Sequence, residues 1–187
     1  LNKIAKQFPK KQLCTLAYLH TYNPPINLKI ASNITTLFCP IEMDRGNPIS
    51  LKNNNKPVAN ALARWQSASK NLFVWDYTVQ FANYISPFPN VSYFEENYTT
   101  FKANNVKGLF VQGYADVPGD FSELRQYLLA KLLWDASIDV KATTADFLRG
   151  FYGKAASEIE NYLKLLSENQ KKSKAYLDIY SGPVQNR

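Results

Sequence analysis

Four short apolar runs recur along the chain, at 13–19, 34–41, 71–75 and 106–111. Each is continuous rather than alternating, the pattern of strands covered on both sheet faces. The segments between them carry helical spacing. Val58, Leu62 and Trp65 mark one helix near 58–69, and a second is expected near 93–104. Ahead of the first run, Leu1, Ile4, Ala5 and Phe8 read as the end of a helix stopped by Pro9. Beyond the fourth run the pattern turns helical. Asp120 and Glu123 fit a capping box, and Leu124, Leu128 and Leu132 line one face up to Trp134. Two more helices are expected near 143–152, with Gly153 as the C-cap, and near 155–168, followed by a frayed helix and tail over 175–187.

Strands that alternate with helices predict parallel βαβ units and an α/β fold. Four such units fit a small open sheet or the C-terminal half of a (β/α)8 TIM barrel, which takes about 250 residues whole. A leading helix end without its strand favours the half barrel. Residues 1–135 are then its βα units 5–8, and 136–187 are helices packed on it. Half a barrel has two unpaired strand edges. The expected partner there is the remaining N-terminal half of the barrel or another chain.

Composition narrows the class further. The chain has 187 residues, 45% apolar and 20% charged, as in an ordinary globular domain or a piece of one. No apolar run approaches the roughly 18 residues that span a bilayer. It opens on Leu1 without a signal-peptide pattern, as a processed or excised segment would. The net charge of +7 suggests nucleic acid until it is placed. Lys3, Lys6, Lys10 and Lys11 at the start, with Lys171, Lys172, Lys174 and Arg187 against Asp178 at the end, account for all of it. The stretch between is neutral, so no nucleic-acid partner is expected. Cys14 and Cys39 sit in apolar runs and are expected as free, buried thiols. With one histidine, His20, and no CxxC, neither a metal nor a cofactor is expected. Asn-x-Ser/Thr sequons at Asn33, Asn90 and Asn97 are too short to carry an argument.

Polar and aromatic groups follow each apolar run at once: His20 and Tyr22; Glu42, Asp44 and Arg45; Trp75, Asp76 and Tyr77; Gln112 and Tyr114. In α/β folds the carboxyl ends of parallel strands converge on the ligand crevice. Carboxylates beside flat rings suit a sugar, since rings stack on pyranose faces and acids move protons at the glycosidic oxygen. Glu42 and Asp44, two apart, share a face of an extended segment and read as a general acid with an orienting partner, or as a solvated turn pair bridged by Arg45. Asp76, between two large rings, reads as a desolvated catalytic acid or as the cap of the next helix. Gln112 can only hydrogen-bond, to a ligand hydroxyl or a neighbouring acid. His20 reads as a base or a satisfied structural group.

Several segments together resemble the DUF4838 family. They are Leu16-Ala-Tyr18, Cys39-Pro-Ile-Glu42, Val74-Trp-Asp-Tyr77, Ser86-Pro-Phe-Pro89, the run from Gly108 to Gly113, the run from Leu124 to Trp134, and Phe147 to Ala156. The likeness covers about residues 1–168. It implies a TIM barrel similar to glycoside hydrolases of the hexosaminidase and α-glucuronidase type. It also implies a secreted or periplasmic setting in bacteria that degrade polysaccharides, with the first barrel strands upstream of the segment matching Leu1. Two functions follow as expectations: a glycosidase in which Glu42, Asp44 and Asp76 act on or hold the sugar, or a non-catalytic carbohydrate-binding or scaffold domain that kept the barrel.

Overall fold

The computed structural model describes residues 1–114 and 117–180. They divide into two compact units. The first is formed by 1–43, 49–77 and 100–112, the second by 44–48, 78–99 and 113–187.

The first unit is built on a four-stranded sheet in which every neighbouring pair is parallel and spatial order follows chain order. Its strands are β1 (Leu13–Ala17), β2 (Ile34–Phe38), β3 (Asn71–Tyr77) and β4 (Gly108–Gln112). This is the α/β arrangement of half a (β/α)8 barrel. Helix α1 (Asn2–Gln7) precedes β1, and α2 (Lys56–Ala68), with Pro57 in its first turn, links β2 to β3. Helix α3 (Phe94–Ala103) leads towards β4. Right-handed crossovers place such helices on one side of a parallel sheet.

β1 and β2 are shorter at their carboxyl ends than the apolar runs suggest. After β1 the chain turns at Leu19, whose φ of 47° is left-handed, into a single 3-10 turn over Leu19–Thr21. After β2, Pro40 has no N–H to give a ladder. β3 is longer than its apolar core, because Trp75, Asp76 and Tyr77 pair with β4 in register with Phe110, Val111 and Gln112.

Alternation sorts the strand side chains onto two faces. One face carries Ala17, Ile34, Thr36, Phe38, Leu72, Val74 and Asp76, all buried. On that side Tyr22 packs on Phe38 at 5.1 Å, and its carbonyl accepts the Trp65 indole N–H of α2 at 2.7 Å. The other face carries Cys14, Leu16, Leu37, Phe73, Trp75, Phe110 and Gln112 and is partly open. Leu16 is 45% exposed and Phe110 51%. Gly108 belongs to this face because the Phe73 ring lies over it, and a Cβ there would come within 2.3 Å of that ring.

The second unit contains α4 (Ser122–Trp134), α5 (Val140–Tyr152) and α6 (Ala156–Ser173). The Asp139 carboxylate caps α5 by accepting the Ala142 N–H at 2.8 Å, and Gly153 ends it at a φ of 53°. The capping box expected at Asp120 and Glu123 does not form. Phe121 is the N-cap, in a left-handed conformation, and Asp120 is bonded to Arg125 instead. Residues 174–180 are not helical, in contrast to the expected frayed helix, because Leu177 and Ile179 are buried and the backbone there bonds to other segments. Residues 181–187 of that expected tail lie outside the described residues.

All three sequon asparagines have structural work. Asn33 directs its amide at the carbonyls of Ala5, Phe8 and Lys11 at 3.0–3.1 Å. Asn90 is buried and its amide donates to the Thr78 carbonyl, and Asn97 is buried in α3. None presents its amide nitrogen for glycosylation in the folded chain.

In the covered core, the Thr36 hydroxyl is fully buried and has no hydrogen-bond partner among the described residues. A stranded hydroxyl costs its desolvation with nothing in return. Thr36→Val keeps the shape and the β-branch and should stabilise the chain by about 1 kcal/mol, read as a higher midpoint in urea at unchanged m-value. A lower midpoint would show that the hydroxyl has a partner.

Candidate functional site

The open face of the sheet carries the densest group of the expected site residues at the carboxyl ends of β3 and β4. Trp75 and Tyr77 are two apart on β3, so both point to that face. Their rings lie nearly parallel, 17° apart in plane with centroids at 6.1 Å. Trp75 faces its register partner Phe110 edge-on at 4.6 Å. The Trp75 indole N–H donates to Gln112 Oε1 at 3.0 Å. Gln112, opposite Tyr77 in the ladder, therefore fixes the indole plane. The result is a cluster of three rings, Phe110 half-exposed, Trp75 part-buried and Tyr77 buried behind Trp75, with an amide at one end.

Cys39 stands next to this cluster. It is buried, the Tyr77 hydroxyl hydrogen-bonds its sulfur, and burial pushes its thiol up to about 11. Cys14, in contrast to the expected buried thiol, is exposed, because β1 is an edge strand and Cys14 lies on its open face. Cys14 pairs with Thr35, four residues before Cys39. At about 3.3 Å per residue that is about 13 Å, well beyond the span of a disulfide. Both are free thiols.

The acids are placed differently. Glu42 is exposed in the turn after β2. Asp44 is fully buried, so the two do not share a face as an extended segment would make them. The chain turns at 41–42, which breaks the two-residue period. Asp44 belongs to the second unit and braces it. Its Oδ1 accepts the N–H groups of Gly46 at 2.9 Å and Leu177 at 3.0 Å, and its Oδ2 accepts the Asn47 amide at 2.8 Å. Arg45, also buried, donates its backbone N–H to the Leu177 carbonyl at 2.9 Å. A Cβ at Gly46 would come within 2.2 Å of the Gln170 amide, so that flexible side-chain end would have to shift.

Asp76 sits on β3 between Trp75 and Tyr77, so it points to the covered face, opposite to the rings and to Gln112. It is 3% exposed, and its Oδ1 accepts the Tyr77 N–H at 2.9 Å. His20 is exposed in the turn after β1, and Tyr22 is committed to Phe38 on the covered side. Tyr114 packs edge-on against Tyr84 at 5.0 Å in the second unit, where burial raises its phenol above the ordinary value and the Arg125 charge partly offsets that. Of the expected residues, Trp75, Tyr77 and Gln112 come together. Asp44, Arg45 and Tyr114 are not part of that group.

Sequence reasoning missed Phe110, which looked like one residue of an apolar run, and Arg125, which sits among helical leucines. Arg125 is 2% exposed, and all five of its N–H donors are used. Nε donates to the Asp120 carbonyl at 2.7 Å. One terminal nitrogen donates to the Thr78 carbonyl at 3.3 Å and to Asn90 Oδ1. The other donates to the Phe88 carbonyl at 2.5 Å and to Asp120 Oδ2 at 2.7 Å. Asp120 Oδ2 also accepts the Phe88 N–H at 3.1 Å. One guanidinium thus holds both ends of the 78–90 loop. The signal in sequence is a lone Arg at an otherwise apolar helix position, four residues after Phe121.

A four-stranded parallel sheet with flanking helices defines an α/β protein of the half-barrel type. The chain belongs to the DUF4838 family, described as a domain of unknown function, whose model matches residues 1–164. No curated protein matches it, and no solved structure does. No described helix is long and apolar enough to cross a membrane.

Two measurements check this geometry. Alkylation of the unfolded, unreduced chain should add two adducts, and in the folded chain Cys39 should stay unlabelled up to at least about pH 9, because a protonated thiol is a poor nucleophile. A disulfide-linked mass would overturn the strand register. Arg125→Ala should cost about 3–5 kcal/mol in urea, since it leaves the largely buried Asp120 carboxylate without its counter-charge. Arg125→Lys should recover only part, because an ammonium lacks the planar fork. A cost below about 1 kcal/mol would mean that other contacts hold the loop.

Proposed function

We propose that the chain is part of a carbohydrate-active, glycoside-hydrolase-like protein and contributes a sugar-contacting surface of Trp75 and Phe110, backed by the buried Tyr77, with Gln112 as its polar end. The observation that carries this is the indole of Trp75, held in plane by Gln112 and nearly parallel to Tyr77, at the carboxyl end of the sheet. A fixed flat apolar surface beside a hydrogen-bonding amide is what a pyranose presents a complement to: C–H groups on one face and hydroxyls around the rim.

Glu42 is the acid we assign to chemistry on the glycosidic bond, being exposed beyond the end of β2. A general acid must reach the oxygen that it protonates. Asp44, held by at least three donors, and Asp76, on the covered face, fit structural roles better than catalytic ones. Hydrolysis takes a pair of carboxyl groups, so the second would come from protein that completes the barrel. The second reading, a carbohydrate-binding or scaffold domain without hydrolysis, is favoured by the same burial of Asp44 and Asp76. The setting proposed with it is secreted or periplasmic, as the family resemblance implies.

The test is a panel of oligosaccharides followed by tryptophan fluorescence and reducing-sugar release. Trp75→Ala should weaken binding about ten-fold or more, about 1.4 kcal/mol, while Asp76→Asn leaves affinity unchanged. Where hydrolysis is seen, Glu42→Gln should lower it by about 10²–10⁴-fold. Binding that survives Trp75→Ala unchanged rules out this surface. Loss of hydrolysis in Asp76→Asn at native stability would return the acid role to Asp76.

A further inference from the structure

We propose that the amino-terminal end of the sheet is a docking face for a polyanionic glycan, one carrying carboxylate or sulfate groups along its length, held there by Lys10, Lys11, Lys29, Lys70, Lys102 and Lys107. That the polyanion is a glycan rests on the sugar reading above; the charge of the face does not.

Charge is divided unevenly between the two units, although the chain between its basic ends is neutral as a whole. The first unit has eleven Lys and Arg residues against two carboxylates, Glu42 and Asp76, a net +9. The second has eleven against thirteen, a net −2. Both carboxylates of the first unit stand at the carboxyl end of the sheet, Glu42 after β2 and Asp76 near the end of β3. Because all four strands are parallel, the segments that lead into them share the opposite end. Lys10 and Lys11 precede β1, Lys29 precedes β2, Lys70 stands immediately before β3 and Lys107 immediately before β4. Lys102 lies in the last turn of α3. All six are exposed, and none forms an ion pair among the described residues.

Hydrogen bonds hold these segments in fixed relation. The Asn2 amide donates to the Lys29 carbonyl at 2.8 Å, and the Asn33 amide to the Lys11 carbonyl at 3.0 Å. The Asn71 amide donates to the Ser32 carbonyl at 2.7 Å, and the Lys107 N–H to the Leu72 carbonyl at 2.8 Å. Neighbouring strands lie about 4.8 Å apart, inside the Debye length of about 10 Å at 0.1 M salt, so the potentials of adjacent lysines add. Ordinary surfaces intersperse both signs, and a field of one sign repels itself. A bound polyanion relieves that repulsion. The ligand is an extended one, since lysines are point charges on flexible stems, without the fork that grips a single carboxylate. Duplex nucleic acid is read by an element that enters a groove, and single strands by successive stacking rings. These lysines stand on turns and at a helix end, and Phe8 is the one exposed ring in the segments that carry them. A charged glycan needs neither device. Docked there, it raises the local concentration of the same polymer at the carboxyl end of the sheet.

The test titrates the whole 187-residue chain with polygalacturonate, dextran sulfate and neutral dextran. The charged polymers should bind at least about ten-fold more tightly than dextran at about 50 mM salt and lose about ten-fold or more by about 200 mM. Preference for one of them tells carboxylate from sulfate, and either supports the face. Lys29→Gln with Lys70→Gln and Lys107→Gln should weaken binding about ten-fold or more. Lys141→Gln with Lys164→Gln and Lys172→Gln removes the same charge from the second unit and should change affinity by less than about two-fold. If the first triple variant does not fold, lysine acetylation of the wild-type chain decides, since the polymer should shield Lys29, Lys70 and Lys107. Equal loss in the two triple variants, or no shielding, overturns the proposal. So does tighter binding to a DNA duplex or to anionic phospholipid vesicles than to either charged glycan at equal charge concentration. A chain that binds neutral oligosaccharide through Trp75 without favouring the charged polymers overturns the face and leaves the sugar reading intact. A chain that binds charged glycan through these lysines and no oligosaccharide through Trp75 does the reverse.

Discussion

The pleat of β3 sets most of what the first unit can do. Side chains along a strand alternate by necessity, and Trp75, Asp76 and Tyr77 are consecutive. The two rings must then leave the sheet on one side and the carboxylate on the other. Register with β4 brings Phe110 and Gln112 to the ring side and Val111 to the acid side. A one-residue slip of this strand would exchange the two sets, moving Trp75 into the core and the carboxylate to the open face. The burial of Leu72 and Val74 forbids that slip, because the same shift would expose both. Apolar packing on one face thus fixes the chemistry on the other.

The second unit solves a different problem. Loops carry backbone donors and acceptors that no sheet satisfies, and buried ones are costly if left alone. Here two charged side chains do that work from within. Asp44 gathers two backbone N–H groups and an amide, and Arg125 gathers three carbonyls and two side-chain oxygens. The choice of charge follows the chain's need: a carboxylate can only accept, a guanidinium can only donate. Each sits where one kind of backbone group clusters, so neither burial implies reactivity.

This explains which parts of the structure were legible in the residues and which were not. The four strands, their parallel order and the helices after them follow from apolar runs and turn residues, which are local signals. Gly153 as a C-cap is equally local. The fate of the carboxylates depends on which face a side chain leaves by and on which distant backbone comes near. Asp44 meets Leu177, and Asp120 meets Arg125 rather than capping α4, through contacts that no short window contains. Four successive strand ends rich in polar and aromatic residues pointed to the end of the sheet where Trp75, Tyr77 and Gln112 come together. They could not divide ring cluster from brace, because Trp75 and Asp76 are neighbours in sequence and opposites in space. Cys14 shows the same limit, since an edge strand reads like a central one until its neighbours are known.

The division of labour constrains any mechanism. In the proposed reading, rings with an amide meet a sugar by shape and by hydrogen bonds to hydroxyls, without needing a proton donor at that spot. The indole N–H is already engaged by Gln112, so Trp75 meets a ligand with its ring rather than with its polar edge. Proton transfer then has to come from a group that projects beyond the strand ends, and in the first unit Glu42 is the exposed carboxylate placed there. A single acid cannot both protonate a leaving group and stabilise the opposite face of the sugar ring. On that proposal the sheet supplies contacts to the sugar and one candidate acid, and a second carboxyl group has to be drawn from another strand, as reacting groups in a barrel commonly are.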